Sequence, residues 1–371
     1  MQRDFEDLGL FLDDGEFNPA DNNNRAIRLA CQYGRIDVVR LLLADSRVNP
    51  ADIHNQATQL ACANGHIDVV RLLLADSRVD PADDTNHAIW AACAYGHVDV
   101  VRLLLNDSRV NPADGVNRAM RWACMNGHAD VVRLLLADNR VDPADLFNEA
   151  IRNACWKGHI DVARLLLADN RANPAGERNF AIRYACEKGH VDVVRLLLAD
   201  KRVNPADWNN DAIRWACWNG HVDVVRLLLA DKRVNPTEAV ITACVKGVIE
   251  IVYLLLMDSR VDIRHIVLTY PEIVEKCREH ESVCAFFALA GIVPFRTDYG
   301  PLDPDVYNIN MLRYWQRTRF VDLYKQNEEF CNGPYSVLLK RRLEIVNLYD
   351  SVVLTSRLPI EMIELVLEYT I

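Results

Sequence analysis

Two residue types in this chain first suggest chemistry. Histidine recurs at His66, His97, His128, His159, His190 and His221, and cysteine at Cys31, Cys62, Cys93, Cys124, Cys155, Cys186, Cys217 and Cys244. Imidazoles and thiolates together make zinc sites, and a thiolate activated by a base makes a nucleophile. The spacing argues against both. Successive histidines stand 31 residues apart, too far for the bonds of roughly 2 Å that a shared zinc needs, so they read as turn-stabilising side chains. Each cysteine follows an alanine and reads as a small hydrophobe in a buried slot. No G-x-x-x-x-G-K-S/T, G-x-G-x-x-G, G-x-S-x-G or H-E-x-x-H motif occurs, so no phosphate loop, nucleophile elbow or metalloprotease helix is indicated. No catalytic residue, metal ligand, cofactor or small-molecule substrate is assigned.

Charge and composition narrow the partners. Half of the 371 residues are hydrophobic and a quarter are charged, with a formal net charge of -10. That balance argues against nucleic acid, whose affinity comes largely from clustered Lys and Arg. The one basic run, Lys340-Arg341-Arg342, reads as a solvated helix face. No stretch approaches the roughly 18 apolar residues of a membrane helix, and the acidic start, Met1 to Asp14, is unlike a secretory signal. The expectation is an intracellular, cytoplasmic chain.

The elements that position these residues follow from self-similarity. The Ala-Cys pair returns every 31 residues up to Cys217 and once more, after 27, at Cys244; Gly34 and its counterparts follow three residues behind, and a Leu-Leu-Leu run repeats from Leu41 to Leu254. Each unit parses as helix, tight turn, helix, loop. Asn24 and its counterparts (Asn55, Asn86, Asn117, Asn148, Asn179, Asn210) are predicted to cap the first helix, Gly34 to end it in a left-handed conformation, and Asp37 to cap the second. Asp37 and Arg40 are spaced to pair at i, i+3. The second helix, Val38-Val39-Arg40-Leu41-Leu42-Leu43, is apolar on most sides and must be sandwiched between neighbours, so the units stack into a solenoid.

The series Ala61-Cys62-Ala63-Asn64-Gly65-His66-Ile67-Asp68-Val69-Val70-Arg71-Leu72-Leu73-Leu74 resembles the ankyrin repeat, whose units read A-A-x-x-G-H-x-x-V-V-x-L-L-L. Two departures shorten the period from the family's 33 residues. Asn55-Gln56-Ala57-Thr58-Gln59 stands where that family opens its first helix with T-P-L-H, and Ser77-Arg78 stands where it has Gly. The resemblance implies an all-α ankyrin-repeat solenoid of stacked helix-turn-helix units with a helical C-terminal extension. Residues 1–21 are read as a half-repeat cap, 22–262 as the array of about eight units, 263–293 as a degenerate repeat or helical cap, and 294–371 as the helical C-terminal region. Positions constant between units are scaffold; positions that vary are free to bind. By the resemblance, the varying residues Tyr95, Met125, Phe147, Trp156, Phe180, Trp208 and Trp218 lie on the concave face, where that family holds protein partners. Aromatics of this kind are enriched in interface hot spots. The same rings can instead pad the groove between first helices, the role read for Trp122, Tyr184 and Trp215.

The terminal segment 356–371 carries its own signal. Leu358-Pro359-Ile360-Glu361-Met362-Ile363-Glu364-Leu365-Val366-Leu367 places Pro at a helix start, Glu in the first turn and an apolar stripe behind them. It resembles the opening L-P-x-E helix of an F-box, which engages the Skp-type linker of cullin ubiquitin ligases. Ankyrin arrays ending in a truncated F-box are typical of the PRANC proteins of poxviruses, with similar pairings in other large DNA viruses and protists. The resemblance implies linker binding by Leu358, Pro359, Glu361, Ile363, Val366 and Leu367; the other reading is an ordinary helix folded back on its neighbours.

Overall fold

The computed structural model describes residues 18–256 and 258–261, divided between two compact units, Met1–Asn235 and Pro236–Ile371. The segments 263–293 and 294–371 lie outside the described residues, as does nearly all of the half-repeat cap 1–21.

The first unit contains seven described helix pairs: α1 (Asp21–Gln32) with α2 (Ile36–Ala44), α3 (Asp52–Ala63) with α4 (Ile67–Ala75), α5 (Asp83–Ala94) with α6 (Val98–Leu105), α7 (Asp114–Asn126) with α8 (Ala129–Leu136), α9 (Asp145–Lys157) with α10 (Ile160–Ala168), α11 (Gly176–Lys188) with α12 (Val191–Ala199), and α13 (Asp207–Trp218) with α14 (Val222–Ala230). The second unit holds α15 (Thr237–Lys246) and α16 (Ile249–Leu256). Among the described residues every regular element is helical.

Within the first unit the odd-numbered helices pack side by side in one layer and the even-numbered helices in a second. Side-chain size explains the arrangement. Ala30 and Cys31, like Ala61 and Cys62, are fully buried, and their small volumes let successive first helices approach closely. The middle leucine of each run, Leu42 through Leu228, is buried between second helices, worth about 1.5 to 3 kcal/mol per side chain relative to exposure.

The asparagine column does something other than capping. Each first helix of the seven pairs opens with three consecutive left-handed residues, such as Ile53, His54 and Asn55 at φ of 50, 54 and 58°. That conformation costs an L-residue about 1 to 2 kcal/mol, and asparagine tolerates it better than most residues. The constant asparagine takes the third position, and its buried amide turns to the next pair. Asn55 Oδ1 accepts from the Asp80 amide at 3.1 Å and its Nδ2 donates to Asp83 Oδ2 at 2.7 Å. Asn86 repeats this with Asn111 and Asp114, and Asn179 with Asn204 and Asp207. The predicted cap is therefore a clamp between units: the asparagine does stand just before the right-handed turns, but its side chain bonds to the neighbouring finger and not to its own helix. A second device holds the left-handed turn from within. Arg28 donates to the Asn22 and Asn23 carbonyls, and Arg121 to those of Gly115 and Val116.

The second helices also depart from expectation. They start one residue before Asp37 and its counterparts and show no side-chain cap. The aspartate sits in the first turn, where a negative charge complements the helix dipole. The i, i+3 pair closes at Arg133–Asp130 and Arg164–Asp161, at 3.5 and 3.6 Å and largely exposed. Tighter pairs form two residues apart in the loop. Arg78 Nη2 lies 2.6 Å from Asp76 Oδ2, and the same guanidinium reaches back to the carbonyls of Val48 and Leu43 in the preceding pair. Arg109, Arg140, Arg171 and Arg202 repeat this bridge.

Candidate protein-binding surface

The recurring glycine and histidine are consumed by the stack. Gly65 has the predicted left-handed conformation, φ 75°, and the ring of His97 from the next pair lies so close that a Cβ on Gly65 would stand 2.5 Å from its Nδ1. His97 Nε2 is 2.9 Å from the Ala63 carbonyl, and each later histidine is bonded likewise to the preceding pair. These imidazoles, expected to brace turns, bond to the preceding pair and so stitch neighbouring units together. The eight repeat cysteines are buried, and burial pushes the thiols of Cys31 and Cys155 up to about 12. Among the described residues no group of three or more His, Cys, Asp or Glu is placed to hold a metal ion.

Several of the side chains that the scaffold leaves free are apolar. Phe147 is 70 % exposed, Tyr95 64 % and Trp208 52 %. Trp218 is exposed to a similar degree, whereas Met125, Trp156 and Phe180 are half-buried. Phe147 and Trp208 belong to the left-handed turns, as do the exposed Ile53, Val116 and Leu146. Bulky or β-branched residues are poor choices for positive φ, and their exposure means that core packing does not require them there. They crown the loops that open the first helices, at positions that change from unit to unit.

The predicted aromatic stripe is partly joined and partly scattered. The Phe180 and Tyr184 rings lie 4.2 Å apart and Trp156 and Tyr184 6.5 Å apart, while the Arg183 guanidinium rests 4.6 Å from the Phe180 ring and 4.9 Å from that of Trp208. Arg183 is held by Asp211 at 2.7 Å, both side chains largely buried. Trp156, Phe180 and Trp208 thus form one cluster across α9, α11 and α13, with Tyr184 and Arg183 as its joints. Among the described residues Tyr95 and Phe147 make no ring contact with it, and Met125 precedes Trp156 by one repeat. Tyr95 is adjacent to its Gly, whereas Met125 and Trp156 precede theirs by two residues, so these three never formed one column.

Two features escaped sequence reading. Arg183 has the spacing of the turn-holding arginines Arg28 and Arg121, which gave no hint that it lies between two rings. A second cluster surrounds Trp90, with the Arg118 guanidinium 3.9 Å from its ring and Trp122 meeting it edge-on at 6.1 Å. The contact of Trp122 fits its predicted padding role, although the ring stays partly exposed. The six residues Leu358, Pro359, Glu361, Ile363, Val366 and Leu367 lie outside the described residues. No described helix is long and apolar enough to cross a membrane.

Comparison with known proteins places this geometry. The family model "Ankyrin repeats (3 copies)" matches five overlapping segments, residues 6–85, 27–114, 59–146, 110–175 and 151–238. Among solved structures, the human ASB11 ankyrin repeat domain is similar at 19 % identity and a TM-score of 0.41, over 50 % of this chain and 95 % of that one. No match was found among curated proteins. Ankyrin repeats act as protein–protein interaction modules, and matched segments running from residue 6 to residue 238 cover well over half of the 371 residues: the chain belongs to the ankyrin-repeat family.

Proposed function

We propose that this chain binds a target protein on the face formed by its first helices and the left-handed turns that open them, without catalysing a reaction, and that its C-terminal segment couples the target to a cullin-type ubiquitin ligase. The observation that carries the binding face is the exposure of Phe147, Tyr95 and Trp208 at variable positions of an otherwise uniform scaffold. Large rings on ordered backbone give contact area at low entropic cost, and they dominate interface energetics. Tyr95, Met125, Phe147, Trp156, Phe180, Trp208 and Trp218 are the proposed contacts, on the concave side. The coupling step rests on Leu358-Pro359-Ile360-Glu361 and the apolar stripe that follows, which suit a Skp-type linker. The alternative is a plain scaffold or competitive inhibitor whose terminal helix only closes the array.

Affinity capture from a eukaryotic lysate separates these readings, with the full chain set against one ending at Thr355 and against Phe147→Ala/Trp208→Ala in the full chain. Adaptor function predicts loss of a Skp-type linker and cullin from the shortened chain with other partners retained. The ring variant should lose those other partners and keep the linker. Identical partner lists for the full and shortened chains would leave the scaffold reading, and an unaltered list for the ring variant would remove the proposed face.

A further inference from the structure

Four departures from the repeat fall together between Ala163 and Phe180. The buried valine of the second helix, such as Val132 or Val194, is Ala163 in α10, and the buried valine of the finger, such as Val141 or Val203, is Ala172. The aspartate that opens the first helix, such as Asp145 or Asp207, is Gly176. These three columns are uniform in every other pair of the first unit. Phe180 in turn stands where Gln56, Glu149 and Asp211 accept from the arginine of the preceding first helix.

Each departure weakens the same contact, or the pair that makes it. Both alanines are fully buried but lack valine's methyl pair, so less apolar surface is withdrawn from water. Asn179 Nδ2 donates to Asp207 Oδ2 at 2.8 Å, whereas Asn148 keeps the Asn173 amide, at 2.6 Å, and has no carboxylate at Gly176. Arg121 and Arg183 pair with Glu149 and Asp211 at 3.0 and 2.7 Å. Arg152 instead faces the Phe180 ring at 5.8 Å, and its Nε is buried without a partner. Directional bonds thus give way to ring contacts, among them Trp156 with Tyr184 at 6.5 Å. Two ties remain: His190 bonds the Trp156 carbonyl at 3.0 Å, and Arg202 reaches the carbonyls of Ala172 and Leu167.

From this convergence we infer that the contact between the pair α9/α10 and the pair α11/α12 is a hinge within the first unit, opening more readily than its siblings while His190 and Arg202 keep it tethered. In a linear stack each pair touches only its neighbours, so a weak contact is not made good elsewhere. Trp156 lies on one side of the hinge and Phe180 and Tyr184 on the other. Opening divides the aromatic cluster and closure assembles it. The hinge adds motion to the face proposed above and holds whether or not that face binds a target.

The buried cysteine in each first helix reports the opening. The native full chain is treated with iodoacetamide, and the initial alkylation rate at each cysteine is read by peptide mass spectrometry. The hinge predicts a maximum at Cys155 and Cys186, about tenfold or more above Cys62, Cys93 and Cys124, with Cys217 slower than the maximum. Gly176→Asp should slow Cys155 and Cys186 by about threefold or more and leave Cys93 unchanged, and the reciprocal Asp114→Gly should speed Cys93 and Cys124 by a similar factor. Equal rates along the array, a maximum at another pair, or a steady rise towards Cys217, which is fraying from that end, overturns the hinge. So does indifference of Cys155 and Cys186 to Gly176→Asp when circular dichroism is unchanged. If that variant alters the circular dichroism, Asp114→Gly decides, and unchanged rates at Cys93 and Cys124 overturn the hinge.

Discussion

Replacing Asn86 with Ala tests whether the asparagine column is a clamp between units or a helix cap. Asn86 is buried at φ 57°. Its Oδ1 accepts from the Asn111 amide at 2.7 Å, and its Nδ2 donates to Asp114 Oδ2 at 2.8 Å. Truncation leaves the Asn111 amide without its partner, a loss of about 1 to 3 kcal/mol, and removes a bond to a charged acceptor worth about 1.5 to 3 kcal/mol. Alanine also tolerates the left-handed region less well, at up to about 1 to 2 kcal/mol. These contributions overlap, so the expected total is about 3 to 5 kcal/mol. Urea unfolding of the full chain, followed by far-ultraviolet circular dichroism, reads it as a shift in midpoint. A double-mutant cycle with Asp114→Ala isolates the contact that crosses between units. The clamp predicts a coupling of about 1 kcal/mol or more between residues 28 positions apart. A cap confined to its own helix predicts no coupling beyond the usual non-additivity of about 0.3 to 0.5 kcal/mol for independent sites. Such a null, or a total loss below about 1 kcal/mol, refutes the clamp.

Four further outcomes follow from the same stack. Gly65→Ala meets both a positive φ and the His97 ring 2.5 Å from the new Cβ, so thermal unfolding should show a loss of about 2 to 5 kcal/mol from strain and overpacking together. Thr58 occupies the apolar column of Ile27 and Ile89 with a buried hydroxyl that has no partner, so Thr58→Val should raise the melting temperature, by about 1 to 3 kcal/mol in stability. Gly176 stands where the other clamps have an aspartate. Gly176→Asp should restore the bond to Asn148, whose amide tip must yield slightly to the added Cβ, and slow hydrogen exchange across α9 and α11. Finally, the hydrogen bond from Arg78 holds the Asp76 carboxyl below its ordinary value, and the pairs at Asp107, Asp138, Asp169 and Asp200 behave alike. Folded carboxyls with depressed pKa values contribute stability that is complete above the unfolded value near 4 and is lost as pH falls through the folded values. The melting temperature should therefore drop steeply below pH 4, and Asp76→Asn should flatten that slope.

The sequence by itself determined the repeating unit, its two helices, the glycine between them and the buried Ala-Cys and Leu columns, because periodicity and residue size are local properties that recur with every unit. It also separated the variable positions from the scaffold, which a single globular domain would not allow. Tertiary structure alone decided what the constant polar residues do. Asn55, Arg78 and His97 all bond across 25 or more residues into a neighbouring pair, and sequence spacing describes only partners within one helix or turn. For the same reason Asn24 and its counterparts read as caps from their place before an apolar run, when stacking had put a second finger within reach of their amides. The left-handed turns were hidden too, since Ile53, Val116, Leu146 and Trp208 argue locally against positive φ; the asparagine that ends each turn is anchored to the next finger, and an arginine of the same helix holds the turn at Asn22–Asn23 and Gly115–Val116. Which aromatics meet was decided last and furthest from the sequence: Trp156, Phe180 and Trp208 join through Tyr184 and Arg183 because three first helices lie side by side, while Phe147, on the same helix as Trp156, points its ring into solvent.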